Sequence, residues 1–95
     1  MLKLDQYGPV LAENSKAEEI LLRIKEELKQ KDSVVIDMAM IKLMQTRCAH
    51  LIFGSLYLEL GAETFYRRIQ IQGATPNIRT VILAGIEQAC KNNNQ

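Results

Sequence analysis

The stretch Ser33-Val34-Val35-Ile36-Asp37 constrains the fold of this chain more than any other. Three successive β-branched residues are stiff at the first side-chain torsion, which suits a pleated strand and disfavours a helix. The run does not alternate with polar residues, so it predicts a central strand covered on both faces, as in parallel sheets. Parallel neighbours require crossovers, and the flanking sequence supplies helical patterns on both sides.

Upstream, Ser15-Lys16-Ala17-Glu18 has the spacing of a capping box. Ala17, Ile20, Leu21, Ile24 and Leu28 then recur at three and four, an amphipathic helix of about four turns. Downstream, a second helix is expected from Thr46 to Gly61, a residue suited to the left-handed conformation after a helix end. Ile69-Gln70-Ile71-Gln72 alternates as a short strand does. Thr75-Pro76 supplies a cap and a first helical residue for a last helix, whose apolar stripe is Ile78, Val81, Ile82, Gly85, Ile86 and Ala89. At the start, Met1 to Asp5 and Val10-Leu11-Ala12 flank Tyr7-Gly8-Pro9 and predict a hairpin. The expected order is ββαβαβα: an α/β fold with a small mixed sheet and three helices. One domain is expected over residues 1–91, with a frayed polar tail at 92–95.

Several function classes fall away on composition and spacing. A net charge of +1 without a basic cluster argues against nucleic acid, and Arg67-Arg68 beside Tyr66 is too thin a signal to reverse that. The chain shows no signal core and no membrane-length apolar run, which predicts a cytoplasmic protein off the membrane. Cys48 and Cys90 match no metal-ligand spacing and are expected as free thiols. The five glycines are scattered without a phosphate-binding signature, so no cofactor and no metal are expected.

Asp37, Thr46, Cys48 and His50 lie close enough in sequence to suggest chemistry. On a helix, however, positions two apart diverge by about 200°, so Cys48 and His50 do not form a dyad. His50 is the only histidine. No catalytic residues and no enzyme are therefore expected. Asp37 ends the clearest strand, where α/β sheets gather ligands. Either it belongs to a regulatory or ligand loop with Met40, Met44 and Thr46, or its carboxylate accepts main-chain N–H groups and pins the connection.

The second helix is apolar over more than a usual core-facing arc. Arg47, His50, Gly54 and Tyr57 share one stripe, flanked by Leu51 and Leu58. Arginine and tyrosine are frequent interface anchors, so this stripe is the expected partner-binding or self-dimerising face, rimmed by Met38, Met40 and Met44. The competing reading is that the chain's own loop covers this face, or that the face merely exposes two leucines.

The segment from Asp37 through Ile41, Met44 and Gln45-Thr46-Arg47 to Gly54 and Gly61 resembles the STAS domain. That is the module of anti-sigma-factor antagonists and sulfate-transporter tails. It is more closely similar to a small bacterial STAS-like family of unknown function. Gly8 and Ser15-Lys16-Ala17 resemble that family's turn and first-helix entry. The resemblance implies a non-catalytic regulatory module with a signalling partner such as a histidine-kinase-like ATPase, or a homodimer. It also implies an α/β fold lacking the last strand and helix of a full STAS domain. Where antagonists carry a phosphoserine this chain has Arg47, preceded by Thr46 and followed by Cys48. Arginine accepts no phosphate, so the resemblance does not carry the phosphoswitch with it. The alternative reading is a small-molecule sensor with its ligand near Asp37.

Overall fold

A computed structural model describes residues 1–93. The run that constrained the sequence is the middle strand, β3 (Val34–Asp37), with β1 (Leu2–Lys3) on one side and β5 (Ile69–Gln72) on the other. Both pairings are parallel, with Leu2 opposite Ile36 and Ile36 opposite Ile71. A separate pair, β2 (Val10–Leu11) and β4 (Leu43–Met44), is also parallel. The sheets are thus parallel throughout, not mixed.

The expected hairpin does not form. After β1 the chain enters a 3-10 turn, Asp5–Tyr7, rather than folding back, and the two strands find partners in different sheets. Tyr7 is buried in that turn, its hydroxyl accepting a bond of 3.0 Å from Arg23 Nη1. β4 has no counterpart in the sequence reading, because two residues are too few to show a period.

Among the described residues there are four helices. The first, α1, is Asn14–Gln30. The second, α2, spans 46–60 and consists of α-helical turns Thr46–Ala49 and Ser55–Leu60 around a π-helical segment, His50–Gly54. It stops at Gly61, whose φ of 84° is positive as expected but whose ψ of 157° is extended, a combination open to glycine rather than the left-handed helical cap. A short α3 (Ala62–Arg68) follows, and α4 (Pro76–Asn93) ends the described chain. Asn92 and Asn93, expected to fray, belong to α4; the remainder of the expected tail, residues 94–95, lies outside the described residues. The capping box is absent: α1 begins a residue before Ser15, and Glu13 at its N-cap makes no side-chain cap bond. The cap on α4 is present, with Thr75 Oγ1 accepting the Ile78 N–H at 3.2 Å.

One face of the sheet, formed by Leu2, Val34, Ile36, Ile69 and Ile71, packs into the core with Ile20, Ile24, Ile82 and Ile86. The other carries Lys3, Val35, Asp37, Gln70 and Gln72, none of them buried. The expectation of cover on both faces is therefore corrected. Apolar Val35 concealed the alternation that a one-sided strand would otherwise show. All the cover comes from one layer, in which α2 touches both α1 and α4.

A charge at Ile36 would sit in that core without a partner, whereas one at Val35 would reach solvent. Ile36→Asp should cost several kcal/mol, against about 5–15 for a whole domain, and Val35→Asp much less. Thermal melts of the two variants check this; equal losses would mean the sheet is covered on both sides.

Candidate functional site

The stripe expected to face a partner is divided by the structure. Gly54 is buried beneath α4: a Cβ there would lie 2.7 Å from Ala89 Cβ and 3.1 Å from the Gly85 oxygen. Gly85 is the reciprocal contact, since a Cβ on it would come within 2.6 Å of the Ala49 carbonyl carbon and the His50 nitrogen. The two helices meet main chain to main chain, at the place where α2 widens into its π-helical turn. His50 is half-buried, its Nδ1 3.2 Å from Gln88 Oε1 of α4. Tyr57 is half-buried and stands edge-on to Phe65, with ring centres 5.5 Å apart, and to Tyr66 at 6.1 Å. Leu51 packs against the core, while Leu58 is exposed. The wide apolar arc of α2 belongs to a helix flanked by two others, so Gly54 cannot meet a partner and His50 is engaged internally.

Arg47 is exposed, but its guanidinium donates to the Ala12 carbonyl at 2.8 Å and ties the start of α2 to the segment leading into α1. Thr46 is the first residue of α2, as expected, and Gln45 holds the cap position without a side-chain bond. Asp37 Oδ1 accepts the Ala39 N–H at 3.0 Å, the pinning role that competed with a ligand role. Lys3, Asp5, Asp37, Ala39 and Met40 line a shallow depression there. The methionine rim shrinks to Met40, since Met38 and Met44 are buried.

Cys48 is fully buried, its Sγ 3.9 Å from the Glu13 carbonyl. Burial pushes its thiol pKa up, and the Arg47 charge beside it only partly offsets this. Arg68 and Arg67 serve the fold. Arg68 donates to the carbonyls of Asp32 (2.8 Å), Leu28 (2.8 Å) and Lys31 (3.0 Å), which satisfies the end of α1, while Arg67 pairs with the Asp32 carboxylate at 3.4 Å. Among the described residues no group of three or more metal-ligating side chains occurs, and no helix is long and apolar enough to cross a membrane.

The sequence reading missed an apolar platform on the smaller sheet. Val10 and Leu43 are paired neighbours, 46% and 56% exposed, while Leu11 and Met44 beneath them are buried. Met40 is 57% exposed, and its carbonyl approaches Gly8, two residues before Val10. The only trace in the sequence was a pair of apolar dipeptides, Val10-Leu11 and Leu43-Met44.

A parallel sheet covered by helices on one face, with an aspartate closing the middle strand ahead of a glycine-terminated helix, defines a small α/β domain of STAS-like type. The chain belongs to the family described as the STAS-like domain of unknown function (DUF4325), whose model matches residues 16–79. No curated protein and no solved structure matches the chain.

Two measurements probe this geometry. Gly85→Ala would force its Cβ into the α2 main chain and should lower stability by about 1–3 kcal/mol, read by denaturant titration. Cys48 should alkylate slowly at neutral pH and only after half-exposed Cys90. Its raised pKa means that the stability linked to the protonated thiol is full below the ordinary thiol value and is lost as pH rises through the raised one. Rapid labelling of Cys48 in the folded protein would contradict its burial.

Proposed function

We propose that this domain is a non-catalytic interaction module that regulates a signalling partner, docking through β2, β4 and the N-terminal end of α2. The supporting observation is the exposed trio Val10, Met40 and Leu43. Two are register neighbours on a two-stranded sheet, and all three lie on segments leading into or out of it. Apolar side chains exposed side by side, rather than scattered singly, are the surface feature that marks interaction sites. Arg47 borders the platform on α2 and brings a fixed positive charge, held by its bond to Ala12. The resemblance to the antagonist STAS modules points to a protein partner, with the histidine-kinase-like ATPases as the first class to test and a second copy of the chain as the other.

A non-catalytic role accords with the chemistry on hand. The Cys48 thiol is buried, His50 is directed at Gln88, and one Asp37 oxygen is engaged by its own loop. The small-molecule reading has only the depression beside Asp37 to support it.

The variant pair Val10→Glu/Leu43→Glu tests the platform. Both positions are exposed, so each change alone should shift stability by no more than about 0.5 kcal/mol, and repulsion between the paired glutamates should add at most about 1 kcal/mol. Quantitative pull-down of tagged protein from its native cells, with light scattering for self-association, should show the wild-type partner or dimer lost. An unchanged partner set and unchanged mass in the folded variant would refute the platform as the interface.

A further inference from the structure

A different surface, remote in sequence from the platform, combines an open strand edge with an apolar groove. Among the described residues β5 pairs only with β3. Because the Met38 N–H bonds the Gln72 carbonyl, the main-chain groups of Gln70 and Gln72 face β3 and those of Ile71 face outward. Proteins commonly guard such edges with lysine, proline, a bulge or a covering element. β5 is Ile69-Gln70-Ile71-Gln72, without charge or proline. The nearest guard is Arg79 from the first turn of α4, whose Nη2 reaches the Ile71 carbonyl at a long 3.4 Å.

Beside this edge, Phe65, Tyr66, Ile71, Ile82 and Leu83 line a groove between α3 and α4. Tyr66 and Leu83 are 59% and 57% exposed, large apolar surfaces on both walls. Arg79 is the one charged residue lining this groove among the described residues, and it has no ion-pair partner among them. The positive N-terminal end of α4 lies next to it and reinforces its sign. Past Tyr66 and Leu83 lies a second depression, which carries Tyr57 and Glu87 and does not border β5.

We propose that this edge and groove bind one extended segment of a protein partner, which adds as a strand beside β5. Its apolar side chains would enter the groove and a carboxylate would meet Arg79. Edge addition uses main-chain bonds for affinity and alternate side-chain pockets for selection, and β5 beside this groove supplies both. The charge selects the occupant. A second copy pairing through its own β5 would bring no acid on that strand to meet Arg79. An acidic, apolar-alternating segment satisfies both the groove and the charge.

Panning a random linear-peptide library against the whole protein tests this. The expected winners alternate apolar residues and carry an acid. Amide shifts in isotope-labelled protein on adding the winning peptide should centre on residues 65–71 and 79–86. Leu83→Glu should abolish binding, and Arg79→Glu should weaken it roughly tenfold or more. Both positions are exposed, so the variants should fold like wild type. Failure to enrich any peptide would overturn the proposal, as would shifts centred on Val10 and Leu43 or equal binding by Leu83→Glu. A wild-type dimer dissolved by Leu83→Glu would also overturn it, by assigning the groove to a second copy.

Discussion

The structure depends on how closely α2 and α4 approach. At their crossing neither partner has a side chain: Gly54 faces Ala89 and the Gly85 carbonyl, and Gly85 faces the Ala49 and His50 main chain. That approach lets α4 lie low enough for Ile78, Ile82 and Ile86 to join the core with Ile36 and Ile20. With larger residues at the crossing, α4 would stand away from the layer and those isoleucines would lose their contacts. Dispersion contacts fall off steeply with small gaps, so a few tenths of an ångström decide whether the layer packs. The π-helical turn of α2 falls at the same crossing. An extra residue per turn broadens the helix there, and Leu51 to Gly54 all contribute to packing.

Much of this was legible in the sequence, because several signals were local and agreed with one another. The β-branched run became the middle strand, the three-and-four spacing became α1, and Thr75-Pro76 capped α4. Gly61 stopped α2 with a positive φ that glycine adopts freely. Where the reading failed, the deciding partner was distant. The N-terminal segments look like a hairpin because hairpins are the local solution, yet Leu2 pairs with Ile36 and Val10 with Leu43. Nothing within a dozen residues announces either pairing. α3 was missed because a seven-residue helix spans barely two turns, too few to establish an apolar stripe.

The candidate site was less legible. Excess apolar surface on a helix has two causes, an external partner or neighbours on both sides, and the sequence pattern is the same for both. For α2 the neighbours are α1 and α4. The same ambiguity affected Arg67-Arg68, a basic pair whose work is internal. An exposed leucine such as Leu83, lying off the α4 stripe, was the more informative deviation. It breaks the polar face of its helix without serving the core.

Arg68 links three parts of the chain that are far apart in sequence. Its guanidinium holds the last carbonyls of α1 and the Asp32 carbonyl, while its own main chain closes α3 immediately before β5. The end of α1, the turn into β3 and the junction into β5 therefore share one set of bonds. Such a node makes them open together as one cooperative unit rather than fraying separately. A protease cutting after Lys31 would then report on the α3–β5 junction too. The last turn of the first helix and the residues entering β5 would exchange together, while β5 itself stays paired with β3.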